Sequence, residues 1–588
     1  MKRKILVLLA SVALLVCATA TGCFEGGEPE SPLEFAANAT GYTVTYCDSK
    51  AVSVEIPATY EGKPVNEIGE RAFSTCSALT AITIPDSVVK IGDAAFYSGC
   101  AFSSVRIPDS VIEIGESAFG SIDTLEEVTI GKGIAALPES CFTHCEKLAR
   151  VTFASGSTLS SIGNDAFGNC SALETIELPD SVTTIEDGAF RYSGLKAFTL
   201  PAGVNEVGNA AFGDCDALKR FEFLGEVGNF DTGMFSGTDS LEEWKGSAEA
   251  LTTVFGWGTY GSLSPKKLEI TGGEMENGAF QGKSLLTSVK VCGEVGVVSI
   301  NAFRNCSALG EVTLESGITA IGSQAFSGCA ALTEIRLPET VESVGANAFG
   351  SCTNLASFGE TQPALKSVAS DAFLGTAWYA AQPEGAVFFG SALIAWKGEI
   401  PKDLEIPAGT TCIANGVFDT KELTSLVLHE GLKYIGAEAF SENALIHLTL
   451  PESMVEIGES AFYKNNLNWV ELGSGIRKIG EYAFDYNHNL HSVSGGENLE
   501  SIGLRAFAYT EVASFVIPKS VLDVGSYIFG YGNTRIFCEA EQAPEGWDDQ
   551  WAGTSTTVYW YREEQPQTAG NFWHYVGEGQ DREPAPWA

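Results

Sequence analysis

The chain has 588 residues, 45% of them hydrophobic, and carries 35 basic against 75 acidic side chains, a formal net charge of −40. The hydrophobic fraction excludes an intrinsically disordered chain. The acidic balance argues against nucleic acid as a partner and against electrostatic docking to anionic lipid, because both interactions need basic patches.

The N-terminal segment predicts export. "MKRK" is a basic start, and "ILVLLASVALLVCATA" is an apolar stretch too short to cross a bilayer comfortably, which together are typical of a secretory signal. The following "ATGC" resembles the lipobox of bacterial lipoproteins, and this resemblance implies a signal peptide of residues 1–22 and lipidation of Cys23. An ordinary signal with an incidental cysteine is the alternative. No other stretch is long and apolar enough to span a membrane, so a lipid on Cys23 would be the only membrane anchor.

Two short segments lead into the rest of the chain. Residues 23–37 contain "FEGGEPESP" and predict a flexible, acidic tether. Residues 38–66 read as short strands and predict an N-terminal β cap. A cap is required at the start of a stack of coils, because the first coil would otherwise expose its core and its unpaired strand edge.

A motif that ends near a phenylalanine recurs along the chain, in most steps every 22 or 23 residues. Its phenylalanines are Phe73, Phe96, Phe119, Phe142, Phe167, Phe190, Phe212, Phe235, Phe280, Phe303, Phe326, Phe349, Phe373, Phe418, Phe440, Phe462, Phe484, Phe507 and Phe529. A fixed period in the twenties is typical of a solenoid, in which each coil stacks only on its neighbours. Two steps, 235 to 280 and 373 to 418, are each 45 residues long, so we expect one degraded coil in each and about 21 coils in total.

Each coil is predicted to contain two short strands, no regular helix and at most one short turn of helix. In "LTAITIPDSVVKIGDAAFYSGC", Ile82 and Ile84 alternate with Ala81 and Thr83, which places the isoleucines on the inner face of a first strand. "VKIG" predicts a second extended piece on the opposite wall, followed by a tight corner at Gly92.

Cysteines recur three residues after the repeat phenylalanine, and they are Cys76, Cys145, Cys170, Cys215, Cys306, Cys329 and Cys352. Stacked, buried thiols are the first interpretation, because a small side chain suits an inward position at such a turn. Disulfides between adjacent coils are the alternative, because an exported chain meets an oxidising environment.

Motifs for catalysis and metal binding are incomplete. "FDTG" around Asp231 lacks the second carboxylate motif that an aspartic-protease dyad needs, and "GAFQGKS" has Asn277 in place of the first glycine of a phosphate loop. "CFTHC" places Cys141, His144 and Cys145 close together without a fourth zinc ligand nearby. The sequence therefore predicts no enzyme, no cofactor and no metal site.

The repeat L-x-x-I-x-I-P-x-x-V-x-x-I-G-x-x-A-F-x-x-C resembles the BspA-like, bacterial surface-antigen branch of leucine-rich repeats over about residues 67–537. This resemblance implies a curved, right-handed, mainly β leucine-rich-repeat solenoid with a strand-lined face. Residues 377–398 resemble the irregular insert of such proteins, and residues 538–588 resemble their closing cap and tail. The family also implies display at the cell surface and adhesion to host proteins or to other cells.

The outward positions of the first strands form the candidate binding face. Charges of both signs recur there, and Trp469 lies at an outward position with His447 one coil before it. An exposed tryptophan with polar neighbours is typical of binding hot spots, whereas a tryptophan covered by a neighbour is the alternative. The candidate ligand-binding residues are Trp469, His447, Glu471, Arg336, Glu222 and Lys245.

These features favour an exported, non-enzymatic lipoprotein that binds an extracellular protein or glycan through its solenoid face. The first expectation is a protein ligand, contacted by a face of mixed charge. The alternative is glycan capture by exposed, coplanar rings, which would come from Trp469 and from Trp547, Trp551, Trp560 and Trp573. A third possibility is a hydrolase hidden in the irregular segments 244–270 or 377–398.

Overall fold

The computed structural model of the chain describes residues 31–255, 264–360, 362–577 and 583–587. These residues form a mainly β solenoid of about 22 turns with repeats of about 23 residues, which confirms the predicted fold class. Cys23 and the proposed signal peptide lie outside the described residues. None of the helices in the described ranges has the length and hydropathy needed to cross a membrane.

The strands are, in chain order, β1 (Leu33–Ala37), β2 (Tyr42–Cys47), β3 (Ser53–Glu55), β4 (Thr59–Tyr60), β5 (Lys63–Ile68), β6 (Ala81–Thr83), β7 (Lys90–Ile91), β8 (Ser104–Ile107), β9 (Glu113–Ile114), β10 (Glu127–Ile130), β11 (Ala136–Leu137), β12 (Arg150–Phe153), β13 (Ser161–Ile162), β14 (Thr184–Ile185), β15 (Ala197–Leu200), β16 (Glu206–Val207), β17 (Arg220–Phe223), β18 (Asn229–Phe230), β19 (Glu243–Gly246), β20 (Lys267–Ile270), β21 (Ser288–Val291), β22 (Val297–Val298), β23 (Glu311–Leu314), β24 (Ala320–Ile321), β25 (Ser343–Val344), β26 (Ser367–Val368), β27 (Gly385–Phe389), β28 (Ala392–Lys397), β29 (Asp403–Glu405), β30 (Cys412–Ile413), β31 (Ser425–Val427), β32 (Tyr434–Ile435), β33 (His447–Thr449), β34 (Glu456–Ile457), β35 (Trp469–Glu471), β36 (Lys478–Ile479), β37 (Ser492–Ser494), β38 (Ser501–Ile502), β39 (Ser514–Ile517), β40 (Asp523–Val524), β41 (Arg535–Cys538), β42 (Thr557–Tyr561), β43 (Phe572–Val576) and β44 (Glu583–Pro586). Two α-helices, α1 (Ala248–Phe255) and α2 (Ala377–Ala380), and a 3-10 turn over Gly293–Val295 interrupt them.

Most coils contribute one strand to each of two parallel walls. The first wall contains the longer strands, such as β8, β10 and β12, which pair in register so that Val105, Val128 and Val151 lie side by side. The second wall contains mostly two-residue strands, such as β30, β32, β34, β36, β38 and β40, which run through one sheet. In the first wall, apolar side chains alternate with exposed ones, as in β8. The core therefore lies between the walls, and every second residue of the first wall faces outward.

The repeat phenylalanines stack ring on ring inside the solenoid in three runs, which are separated at the two long steps. Phe119 is fully buried, and its ring lies 5.0 Å from that of Phe96 and 5.5 Å from that of Phe142, centroid to centroid. The glycine at the second-wall corner fits against the coil before it. A Cβ atom built on Gly92 would come within 2.7 Å of the Glu70 backbone nitrogen, so close approach between coils explains this glycine.

The side chain three residues after the repeat phenylalanine can donate a hydrogen bond to a backbone carbonyl of the preceding coil. The Cys145 thiol donates a hydrogen bond to the Phe119 carbonyl at 3.2 Å. In a later coil Asn465 takes this place, and its Nδ2 donates to the Phe440 carbonyl at 2.9 Å. Both side chains at this position are small, point inward and donate a hydrogen bond. The thirteen described cysteines are free thiols, twelve of them buried, which confirms the buried-thiol interpretation for these residues.

The first long step contains an additional coil, as predicted, with β20 paired between β19 and β21. The expectation of no regular helix is wrong here, because α1 spans eight residues. Ser247 begins this helix by accepting a hydrogen bond from the Ala250 backbone N–H at 3.1 Å. Leu251 and Phe255 then bury its apolar face in the core.

The second long step departs further from the repeat. Helix α2 is followed by an antiparallel hairpin of β27 and β28, and β28 joins the second wall by pairing with β30. The segment predicted as an irregular insert, residues 377–398, therefore forms a short helix and a hairpin.

Both ends of the stack are covered. At the N-terminus, β1 pairs antiparallel with β2, and Phe35 stacks on Tyr60 at 4.3 Å between ring centroids. The first strand of this end begins at Leu33, which is itself buried. At the C-terminus, β41, β42 and β43 continue the parallel stack, and antiparallel β44 pairs with β43.

Candidate functional site

Trp469 lies on the outer surface of the first wall. Its strand β35 exposes Trp469 and Glu471 and buries Val470 between them, as the alternation in the sequence predicts. The Trp469 residue is 39% exposed, so no neighbour covers it completely. The tryptophan is therefore available on the surface, as the binding hypothesis needs.

The ring of His447 stacks on the indole of Trp469. The two residues are register partners in β33 and β35, and their ring centroids lie 5.0 Å apart with an interplanar angle of 22°. On the other side, the register partner of Trp469 is Ser492, whose side chain is too small to cover an indole. One face of Trp469 is thus occupied by His447, and the other borders a small polar residue.

Glu471 completes this group two residues along the same strand. It is exposed and is flanked in register by Thr449 and Ser494. Within the described ranges no cation forms an ion pair with it. A flat aromatic pair and a free carboxylate therefore share one outward patch, which we call the Trp469 patch (His447, Trp469 and Glu471).

Glu222 and Lys245 lie on the first wall in other coils, and they bind each other. Their carboxylate oxygen and ammonium nitrogen are 2.9 Å apart, and this hydrogen bond raises the pKa of Lys245. The pattern continues along the wall, since Lys290 bridges Glu269 at 3.1 Å and Glu315 at 3.0 Å. These charges neutralise one another, so a ligand would have to compete with existing ion pairs.

Arg336 lies apart from both groups. Its side chain is 81% exposed, and its Nε is 3.1 Å from a carboxylate oxygen of Glu334 on the same segment. The six candidate residues therefore fall in three places: the Trp469 patch, the Glu222–Lys245 ion pair, and Arg336 by itself.

The C-terminal tryptophans do not form an exposed platform. Trp547 and Trp551 are buried and meet edge to face, with ring centroids 4.7 Å apart. Trp573 is fully buried, and its Nε1 donates to the Cys538 carbonyl at 2.8 Å. Trp560 is only partly buried but packs against the same core. These rings close the end of the solenoid and leave no coplanar surface for a sugar.

The incomplete catalytic motifs have structural roles. Asp231 Oδ1 accepts hydrogen bonds from the Gly233 backbone at 2.7 Å and from Asn209 Nδ2 at 2.9 Å, so it shapes a corner. Cys141 and Cys145 are buried in the core. Within the part of the chain that the structure describes, no three His, Cys, Asp or Glu side chains are grouped to hold a metal ion.

Sequence reasoning missed a second aromatic surface. Five tyrosines and one arginine flank the repeat phenylalanines of three consecutive C-terminal coils, and we call them the tyrosine ridge: Tyr482, Tyr486, Arg505, Tyr509, Tyr527 and Tyr531. The signal was present as "EYAFDYN", "LRAFAYT" and "SYIFGYG", in which bulky residues stand two places before and after each phenylalanine.

The chain matches a family model described as "BspA type Leucine rich repeat region (6 copies)" over residues 42–160, 155–254, 273–380 and 411–535. No curated protein matches it significantly. Among solved structures it is similar to a leucine rich cell surface protein of Faecalibacterium prausnitzii A2-165, with 28% identity over 59% of this chain and 92% of that chain and a TM-score of 0.32.

Two further solved structures are similar to the chain. A leucine-rich repeat protein of Bacteroides ovatus ATCC 8483 is 23% identical over 60% of this chain and 93% of that chain, with a TM-score of 0.28. The pneumococcal vaccine antigen PcpA is 17% identical over 90% of this chain and 97% of that chain, with a TM-score of 0.26. Because the family model covers most of the chain and the coils carry its repeat, this chain belongs to the BspA type leucine-rich repeat family.

Proposed function

We propose that this chain is a protein-binding scaffold displayed at the surface of a bacterial cell, where it mediates adhesion to host proteins or to other cells. Members of its family are bacterial surface proteins, and a solenoid offers long rows of outward side chains in fixed positions. The observation that carries the proposal is the exposed stack of Trp469 and His447 beside the unpaired Glu471.

The chemistry of the Trp469 patch indicates the kind of partner. An indole buries a large apolar area at a small cost in conformational entropy, because it has only two side-chain torsions. His447 already stacks on one side of it and orders the ring. Glu471 adds a carboxylate that pairs well with an arginine or lysine. The patch therefore suits a protein surface that presents an apolar side chain next to a basic one.

Glycan capture is the less favoured alternative. It needs exposed, coplanar rings, and the C-terminal tryptophans proposed for that role are mostly buried. Trp469 alone would leave a sugar with a single ring face. A mixed-charge first wall with one aromatic patch favours a protein ligand.

Enzymatic activity is not part of the proposal. Asp231 is held by two hydrogen-bond donors in a corner, and the irregular segment 377–398 is a helix and hairpin that pack on the core. These observations weigh against a hydrolase at Asp231 or in segment 377–398, whereas residues 256–263 of segment 244–270 lie outside the described residues.

Lipidation of Cys23 would hold the scaffold at the membrane. The basic start, the apolar stretch and "ATGC" support this anchor. Replacing Cys23 by serine should move the protein from the membrane fraction to the soluble exported fraction. If Cys23→Ser stays in the membrane fraction as the parent does, the lipid anchor is wrong.

A binding array tests the adhesive function. Residues 24–588 are applied to extracellular-matrix proteins and to glycans, with the parent compared with a Trp469→Ser, His447→Ser double variant. We expect the parent to bind at least one protein and the double variant to bind it at least tenfold more weakly. A matched Arg106→Ser, Thr129→Ser variant changes outward first-wall residues in distant coils and should bind normally. Equal binding by both variants would show that the Trp469 patch does not contact the ligand.

A further inference from the structure

The two positions that flank each repeat phenylalanine have an unusual backbone conformation. In coil after coil, the residues two places before and two places after the phenylalanine have positive φ, between 49° and 77° at such places as Asp165, Asn169 and Gly328. This left-handed region favours glycine, asparagine and aspartate and disfavours bulky side chains. Small or polar residues therefore suit these positions, and most coils have them.

The three coils of the tyrosine ridge have a bulky side chain at all six of these positions. Tyr482, Tyr486, Arg505, Tyr509, Tyr527 and Tyr531 have φ between 52° and 69°. A bulky residue held in this region costs free energy, and such residues cluster at functional sites. Core packing does not account for them, since the interior of these coils is filled by Phe484, Phe507 and Phe529. The ridge is thus built at a cost that the fold itself does not require.

The side chains of the ridge form an ordered outer surface. The ring centroids of Tyr486 and Tyr509 lie 4.4 Å apart, and those of Tyr509 and Tyr531 lie 4.5 Å apart with an interplanar angle of 13°. The Arg505 guanidinium lies 5.3 Å from the ring centroid of Tyr509 and 6.0 Å from that of Tyr531. Tyr531 is 71% exposed. The rings are therefore fixed before any ligand arrives.

We propose that the tyrosine ridge binds a proline-rich segment of a partner protein in the polyproline II conformation. This surface is distinct from the Trp469 patch, and the proposal does not depend on it.

The spacing of the rings matches this conformation. Two ring-to-ring steps, from Tyr486 to Tyr531, span no more than 8.9 Å. A polyproline II helix advances about 3.1 Å per residue and repeats every three residues, about 9.3 Å. Two residues of such a segment that are three positions apart would thus lie opposite Tyr486 and Tyr531. Aromatic-lined surfaces are the usual sites for proline-rich segments, which lose little conformational entropy on binding.

The hydrogen-bonding groups also match. A polyproline II segment has no internal hydrogen bonds, so its carbonyls seek donors. Within the described residues, the hydroxyls of Tyr486, Tyr509 and Tyr531 have no hydrogen-bond partner in the chain, whereas the hydroxyl of Tyr527 is bonded to Gln550 at 2.6 Å. A glycan fits less well, because sugars stack on free ring faces and the ring of Tyr509 is covered on both sides.

The test measures binding of a fluorescein-labelled dodecaproline peptide to residues 24–588 by anisotropy. A glycine-serine dodecamer and the linear glycan cellohexaose are the comparison ligands. We expect binding of dodecaproline and not of the glycine-serine peptide. A Tyr509→Asn, Tyr531→Asn double variant should bind dodecaproline at least tenfold more weakly. Its melting temperature should be equal to or above that of the parent, because asparagine is better suited to positive φ.

Tyr192→Asn is the matched control. Tyr192 holds the same corner position with φ 59° in an earlier coil, where it packs against Arg191 and not in a row of tyrosines. This variant should bind dodecaproline as the parent does. The proposal is overturned if the parent fails to bind dodecaproline, if the double variant binds it equally, or if the parent binds cellohexaose more tightly than dodecaproline and the double variant loses that binding.

Discussion

At the scale of single residues, the repeat phenylalanine is the main source of cohesion between coils. Phe119 packs its ring between Phe96 and Phe142 and has no exposed surface. Each such ring contributes to two interfaces, one with each neighbouring coil. Removing one ring therefore weakens the stack on both sides.

We expect Phe119→Ala to destabilise its coil by about 3–5 kcal/mol, because the change leaves a cavity between two packed rings. Glu116→Ala, at an exposed position of the same coil, should change stability by about 0.5 kcal/mol or less. Native-state hydrogen exchange of the amides between residues 94 and 119 measures both effects locally. Equal effects of the two substitutions would mean that the inward and outward faces have been exchanged.

The burial of the cysteine thiols leads to a second prediction at this scale. Burial raises the pKa of the Cys306 thiol to about 11 and that of Cys412 to about 12, so both thiols are protonated at pH 8. Cys292 is only half-buried. Brief treatment of the native protein with iodoacetamide at pH 8, followed by mass spectrometry, should therefore label Cys292 first among residues 31–588. Rapid labelling of Cys306 or Cys412 would show that these thiols are not buried and protonated in the native protein.

At the scale of structural elements, the corner that carries the tyrosine ridge encloses a carboxylate. The side chain of Asp485 is almost fully buried, accepts a hydrogen bond from the Tyr486 backbone N–H at 2.9 Å and lies 3.5 Å from the Arg505 guanidinium. Burial raises the pKa of Asp485 to about 6, although Arg505 and His488 oppose the shift. The folded chain thus holds this proton more tightly than the unfolded chain. The associated stability is present below about pH 4 and is lost as the pH rises through about 6.

Asp485→Asn should remove this loss, because asparagine keeps the size and the acceptor but does not ionise. We expect the variant to be close to the parent in stability at pH 4 and about 1–3 kcal/mol more stable than it at pH 8. Thermal unfolding at the two pH values gives the comparison, with the exposed Glu116→Gln as control. The same difference between Asp485→Asn and the parent at both pH values would show that Asp485 is not a buried titrating group.

Much of each element could be predicted from the sequence, because its determinants are local. The alternation of apolar and polar residues around Ile82 is visible within one repeat, and the period of the phenylalanines is visible when one repeat is compared with the next. The tyrosine ridge needs a further step, since Tyr486, Tyr509 and Tyr531 become neighbours only when coils are stacked. The helix α1 was missed because the signature of the repeat hid a short amphipathic segment after Ser247. Likewise, the pairing of Glu222 with Lys245 depends on the register of two coils.

At the scale of the whole molecule, the solenoid is stabilised from inside, and its outer surface contributes little to folding. Cohesion comes from the inner stack and from hydrogen bonds between coils, so outward residues can change with little effect on folding. The net charge of −40 keeps the surface hydrated. Several opposite charges on the first wall are nevertheless paired with each other, whereas the Trp469 patch combines an aromatic pair with an unpaired carboxylate. A long acidic scaffold with a localised aromatic patch is consistent with a specific protein ligand.

Hydroxyl-radical footprinting shows whether a bound protein ligand covers the Trp469 patch. Residues 24–588 are oxidised alone and in complex with the matrix protein that the array retains most tightly, and each site is quantified by mass spectrometry. We expect oxidation of Trp469 and His447 to fall several-fold in the complex, while the exposed Tyr97 and Tyr192 on distant coils are oxidised as before. Unchanged oxidation of Trp469, with protection confined to other coils, would contradict the assignment of the Trp469 patch as the binding site.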